Sequence, residues 1–214
     1  METQGDLAKS ATEYSPAPQT EGGDDTMRAN MYRLLATLTS APAAAELLER
    51  LRRIAGEGVS GNEDMGTAWR TLGLASAHAT VASVDDEYHD LFVGIGRGEI
   101  VPYGSWYQTG FLMDRPLAFL RRDLAMLGIL RQDGNHEPED HISALCETMS
   151  LMADEDTGFA INVQRRFFHD HLEPWVGRFF ADMQRAKSAR FYAAVGQLGE
   201  RFFDIERRYL EMLA

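Results

Sequence analysis

Apolar residues recur three and four positions apart from Met27 to the end of the chain, and no stretch alternates with a period of two. Such spacing gives each segment one face to bury against another helix and leaves no sheet to pack on, so the sequence specifies an all-α fold. The stripes are Met31, Leu34, Leu35 and Leu38; Leu47, Leu48, Leu51 and Ile54; Trp69 and Leu72; and Val81, Val84, Tyr88, Leu91 and Phe92. The pattern then breaks from Gly94 to Ser105, where Gly94, Gly96, Gly98 and Pro102 make regular helix unfavourable. It resumes with Leu117, Leu120, Leu124 and Leu127, and again with Ile142, Leu145, Met149 and Met152. The last third carries Phe167 and Phe168, then Trp175, Phe179 and Met183, then Phe191, Val195, Leu198, Phe202 and Tyr209. The reading is a single helical-bundle domain of roughly nine or ten helices, with no repeat of solenoid length.

Boundary residues refine this. Asp24-Asp25-Thr26 has N-cap chemistry, Pro42 sits where a second helix would start, and Gly128 suits a C-cap. Glu137-Pro138-Glu139-Asp140 reads as a helix start, with proline at the first helical position and acids where the dipole favours them. Pro174 opens a further helix. Residues 1–24 hold almost no apolar side chains and read as a flexible tail before a helical domain at 25–214, with a polar hinge at 128–137.

Of 214 residues, 21 are basic and 33 acidic, a formal net charge of −12. That excludes a protein that grips nucleic acid through its phosphates and favours a basic partner. No apolar run approaches the ~20 residues of a membrane-spanning helix, and the N-terminus lacks the apolar core of a secretory signal. A lone cysteine, Cys146, forms no internal disulfide, so the expected compartment is the cytoplasm.

Chemistry-bearing motifs are sparse. Gly94-x-Gly96-x-Gly98 is not GxGxxG, follows a helix and lacks a GK[ST] lysine, so it reads as a turn rather than a phosphate loop. His169 and His171 point apart on a helix. Glu137 and His141, four apart, share a helical face, but no further ligand stands at a matched position, and a helix cap is the plainer reading. Cys146 lies on an apolar stripe and reads as a buried thiol. Asp85, Asp86, Glu87 and Asp90 read as a solvated face. The irregular segment 94–110 stands out, because Tyr103, Trp106 and Tyr107 favour a recognition surface over an interior.

Taken in order, Glu87-Tyr88-His89-Asp90-Leu91-Phe92, Gly94-x-Gly96, Pro102-Tyr103-Gly104-Ser105-Trp106-Tyr107 and Glu137-Pro138-Glu139-Asp140-His141 resemble the TorD/DmsD/NarJ-type redox-enzyme maturation chaperones. His171-x-x-Pro174-Trp175 and Phe191-Tyr192 extend the resemblance, which runs from about residue 27 to the end. Tyr88 stands where signal-peptide binders of this family often carry Trp. The resemblance implies an all-helical cytoplasmic chaperone and not an enzyme. Its partner would be the apo form of a molybdoenzyme of the dimethyl sulfoxide reductase or formate dehydrogenase type, or that enzyme's twin-arginine signal peptide, held during cofactor insertion and before export. The implied binding residues are Tyr88, Leu91, Phe92, Pro102, Ser105, Tyr107, Glu137, Pro138, Asp140 and His141. No resident cofactor or metal is expected, and the chain is expected to be mainly monomeric, although some relatives exchange helices across the hinge to form dimers. Two other readings stay open: a protein binding guanine nucleotide or molybdopterin guanine dinucleotide, and a metal-dependent enzyme using Glu137 and His141.

Overall fold

The computed structural model describes residues 21–56, 63–94, 97–130, 134 and 136–213. Among them the helices are α1 (Glu21–Ser40), α2 (Ala45–Gly56), α3 (Glu63–His78), α4 (Val81–Tyr88), α5 (Gly104–Thr109), α6 (Arg115–Met126), α7 (Ile142–Ala153), α8 (Ile161–His171), α9 (Val176–Arg185) and α10 (Phe191–Met212). A π-helical turn, His89–Val93, prolongs α4, and a 3-10 turn covers Glu155–Thr157. No strand occurs among the described residues, and no helix is long and apolar enough to cross a membrane. The all-α reading therefore holds. The N-terminal tail lies mostly outside the described residues, as do Gly96 and the centre of the hinge.

The bundle is organised around α10, which packs on α9, α3, α1, α4 and α8, while α1 lies along α7 and α2 pairs with α3. Its apolar stripe, Tyr192, Val195, Leu198, Phe202 and Phe203, is buried against Phe179 and Phe180 of α9 and Tyr32 of α1. The rings meet largely edge to face, the arrangement their quadrupoles favour. Cys146 is buried among them and burial holds its thiol protonated, as the sequence suggests.

One ionic cluster lies inside this apolar frame. Arg28 of α1 reaches Glu206 of α10 through two nitrogens, at 2.9 Å (Nε to Oε2) and 2.6 Å (Nη2 to Oε1). It also donates to Gln164 Oε1 at 2.9 Å and Asp25 Oδ1 at 2.7 Å, and the Tyr32 hydroxyl donates to Glu206 at 3.1 Å. A buried guanidinium is tolerated because its fork is met by matched acceptors.

Four boundaries differ from the sequence reading. Helix α1 begins at Glu21, so Asp24, Asp25 and Thr26 lie inside it; α2 begins at Ala45, after Pro42; and α9 begins at Val176, after Pro174. The fourth difference bears on the site: Glu137–Asp140 is not the first turn of a helix. Those residues form a turn closed by the His141 N–H donating to the Pro138 carbonyl at 3.1 Å, and His141 itself is the N-cap of α7.

Removing one member of the buried ion pair leaves the other unpaired in the core. Glu206→Ala is expected to cost about 3–5 kcal/mol, and Arg28→Met combined with Glu206→Leu to regain most of it, as read by denaturant melts.

Candidate functional site

The irregular segment starts from a well-fixed helix. Thr80 and Ser83 form a reciprocal cap on α4, the Ser83 N–H donating to Thr80 Oγ1 at 3.1 Å and the Thr80 N–H to Ser83 Oγ at 2.9 Å. At its other end the helix widens, and the Gly94 N–H donates to the His89 carbonyl, five residues back, at 2.7 Å. This turn buries Leu91, leaves Phe92 half-buried and exposes Val93. Gly94 has φ +60, which reverses the chain. Gly98 then presses on the turn it has just left: a Cβ there would lie 2.4 Å from the Leu91 carbonyl oxygen. These two glycines serve the loop's own packing.

Two carboxylates, Glu87 at the end of α4 and Glu99 in the loop, fasten this region to the far side of the bundle. Glu99 accepts from the Lys187 N–H at 2.7 Å, the Ser188 N–H at 3.1 Å and the Ser188 hydroxyl, and these bonds hold its carboxyl below the usual range. Glu87 is buried and accepts the N–H groups of Arg190, Phe191 and Tyr192 at 2.7, 3.1 and 2.6 Å. It satisfies donors at the start of α10 that no residue of α10 can reach. Glu87 thus leaves the solvated acidic face expected for it, while Asp85, Asp86 and Asp90 remain exposed.

The loop's second half is tied to the turn before α7. Tyr103 and His141 form an isolated antiparallel bridge, with the Gly104 N–H donating to the Asp140 carbonyl and the Ile142 N–H to the Pro102 carbonyl, each at 2.9 Å. Asp140 Oδ2 accepts the Ser105 N–H at 2.7 Å; Oδ1 is buried and has no hydrogen-bond partner among the described residues. His141 Nδ1 accepts the Ser143 N–H at 3.2 Å and lies 2.6 Å from Ser143 Oγ. Burial lowers the pKa of His141 against the opposing pull of Glu137 and Asp140, so the ring is neutral at pH 7 and suited to accept. The Tyr103 hydroxyl donates to Glu137 Oε1, and burial followed by the Glu137 charge pushes its pKa up.

These ties bring several of the sequence-predicted residues together. The Tyr88 and Phe92 rings are 5.0 Å apart, both against Tyr192, and burial first, then Glu137, raises the Tyr88 hydroxyl pKa. Tyr103 touches Glu137, Tyr88 feels the Glu137 charge and Phe92 packs on Tyr88; these four, and Pro138 next to Glu137 in the chain, are partly or fully open to solvent. Leu91, Pro102, Ser105, Asp140 and His141 are buried and act from beneath them. Glu137 and His141 share no helical face, because the residues between them form a turn. Tyr107 faces elsewhere, stacked on Trp175 with ring centroids 5.4 Å apart and bonded to Asp182 at 3.1 Å. The binding residues that the resemblance implies leave out Glu87, Glu99 and Tyr103, and also Trp106, over which Arg97 sits at 4.5 Å. The reading of Tyr103 and Trp106 as recognition aromatics was the available signal for those two; no periodicity marks the carboxylates.

Replacing Glu87 by Ala strands three backbone donors and is expected to cost about 2–3 kcal/mol of stability in denaturant melts. His141 and His171 both titrate below the ordinary value of 6.5. Below pH 6.5 the unfolded chain takes up protons that the folded chain refuses, so stability falls as pH drops from there toward the lowered values. His141→Asn keeps a capping side chain. It should stay within ~1 kcal/mol of the parent at pH 8 and lose the His141 share of the acid-side decline, leaving that of His171.

Residues 60–181 match the family described as nitrate reductase delta subunit. The TorD chaperone of Shewanella loihica is 25% identical over 208 residues, covering 90% of this chain and 93% of its own. The TorD chaperone of a Vibrio cholerae O395 strain is 24% identical over 136 residues, covering 59% of this chain; the match spans 62% of that relative's length. In fold, the chain is similar to a crystal structure described as a redox enzyme maturation protein from Archaeoglobus fulgidus, with a TM-score of 0.53 and 17% identity over 92% of this chain and 99% of the other. With more than half its length matched, the chain belongs to the nitrate reductase delta subunit family, the TorD/NarJ group of redox-enzyme maturation chaperones.

Proposed function

We propose that this chain is a cytoplasmic chaperone for one molybdenum-containing oxidoreductase of the dimethyl sulfoxide reductase or formate dehydrogenase type. It captures the apo catalytic subunit, engages that subunit's N-terminal twin-arginine signal peptide, and holds the enzyme until its cofactor is in place and export can begin. The observation that carries this reading is a set of half-buried rings beside one carboxylate: Tyr103 bonded to Glu137, Tyr88 within range of the Glu137 charge, and Phe92 packed on Tyr88, over a loop fixed from below.

The chemistry suits a peptide with a cationic head and an apolar stretch. Half-buried rings take the apolar part, worth about 25 cal/mol per Å² removed from water before ordering losses. A carboxylate offers about four lone-pair sites, so Glu137 can receive a guanidinium beside its bond from Tyr103. Asp140 holds the Ser105 N–H with Oδ2 and lies 3% exposed, so its part is to position the loop. The net charge of −12 speeds encounter with a basic segment and makes the rate fall with salt. The reading requires no resident cofactor and no second copy of the chain. Among the described residues no group of three or more His, Cys, Asp and Glu is placed to hold a metal ion, and nothing in the site favours the nucleotide reading, since Gly94 and Gly98 close on their own loop.

Tagged chain expressed in its native host is expected to co-purify with a molybdoenzyme catalytic subunit, identified by mass spectrometry. Titrating that subunit's N-terminal peptide should give binding that weakens as salt rises. Glu137→Gln should weaken it about three- to tenfold and change stability by less than ~0.5 kcal/mol. Unaltered peptide affinity in Glu137→Gln would move the arginine site elsewhere, and recovery of no such enzyme from cells that make one would sink the chaperone reading.

A further inference from the structure

A groove of about 430 Å³ runs between α1 and α3 with no charged side chain in its wall. Met27, Met31 and Leu34 of α1 and Trp69 of α3 line it, together with Gly23 near the start of α1. Met27 is 65% exposed, while Met31, Leu34 and Trp69 are half-buried against the core. The groove therefore offers adaptable thioether edges and one indole to solvent. Thr26 and Asn30 complete its wall and carry no charge. Charged neighbours are engaged elsewhere. Asp25 and Arg28 belong to the buried cluster with Glu206, Arg33 turns to Asp154 at 3.7 Å and to Asn30 at 2.9 Å, and Arg70 donates to Thr67 at 2.8 Å. The groove lies on other elements than the Tyr103–Glu137 site.

The chain just before α1 supplies a segment of matching chemistry. Tyr14-Ser15-Pro16-Ala17-Pro18-Gln19-Thr20 is the longest uncharged run ahead of α1, bracketed by Glu13 and Glu21. Tyr14 stands seven residues before Glu21, where α1 begins, so an extended chain carries it up to about 23 Å from there. The groove's α1 wall, from Gly23 to Leu34, spans about 16 Å, all of it within that reach if the segment turns back along α1. Pro16 and Pro18 favour a polyproline II path and remove two backbone donors that an apolar wall would leave unpaired. Segments of this kind dock in grooves lined by aromatic side chains. Alone, so short a run lacks the apolar area to order itself. Tethered beside the groove, it has an effective concentration in the millimolar range, where a weak contact suffices.

We propose that the groove between α1 and α3 is the docking surface for the chain's own segment 14–18, with the Tyr14 ring and the two prolines laid on Met27, Met31 and Trp69. Reach and matched polarity carry the inference: an uncharged apolar groove begins beside the residue where the preceding chain enters α1, and the uncharged part of that chain is long enough to cover it. A cationic peptide head finds no carboxylate in this wall, so the groove is suited to the chain itself and not to a basic partner. The inference is independent of the proposed function. It gives part of the segment that composition marks as a free tail a seat on the bundle, away from the candidate site.

The test uses the full chain, purified, with the photo-crosslinker benzoylphenylalanine at position 14 or, as a control, at position 4, in a mixture of unlabelled and isotope-labelled chains. Position 14 is expected to link to Met31 or Trp69 of its own chain, and position 4 to do so about fivefold less. Met27→Glu, at an exposed position, puts a carboxylate under the docked segment and should lower the links from position 14 to Met31 and Trp69 about fivefold, with the denaturant melt unchanged. Equal yields from positions 4 and 14, links that survive Met27→Glu at full yield, links elsewhere on the bundle, or no link at all overturn the proposal. Links formed solely between labelled and unlabelled chains overturn it in favour of a second copy as the occupant.

Discussion

Two backbone hydrogen bonds between the starts of α5 and α7 and the irregular residues that precede them hold the candidate site together: Gly104 to Asp140, and Ile142 to Pro102. Everything around them depends on that bridge. It sets the Asp140 carboxylate against the Ser105 N–H in the first turn of α5, places the His141 ring to cap α7, and brings the Tyr103 hydroxyl to Glu137. An irregular loop would ordinarily sample many conformations, at a backbone cost of about 1–2 kcal/mol per residue to fix. Here that cost is met before any partner arrives, which leaves more of the contact energy available for binding.

The bridge holds because both of its sides are anchored in the bundle. Glu87 fastens the end of α4, and Glu99 the loop's first half, to the α9–α10 junction, and Gly98 lets the loop lie directly on the π-turn. The junction is fixed in turn by α10, whose aromatic stripe and Arg28–Glu206 pair tie it to α1, α8 and α9. Side chains conspicuous in the sequence, such as Asp140 and His141, therefore act mainly as supports. The surface a partner meets is made by their neighbours.

The helical architecture was legible because burial on one face imposes a 3.6-residue spacing that any helix in this bundle must obey. The position of the break at Gly94 was legible for the complementary reason, that glycine and proline cannot sustain the pattern. Where the reading failed, a long-range bond overrode a local signal. Glu137-Pro138-Glu139-Asp140 has the composition of a helix start, but pairing with 102–105 bends it into a turn and passes the cap to His141. Glu87 sits in a run of acids that looks solvated, and its partners lie more than a hundred residues away.

Hydrogen exchange of the full chain, alone and with the client's N-terminal peptide, tests the central claim most directly. A surface fixed in advance should show slow exchange at Ser105 and Ile142 without ligand, with added protection on peptide binding confined to residues 88–94, 97–107 and 136–142. Rapid exchange there in the free chain, or protection appearing solely on α6 and α8, would contradict the account.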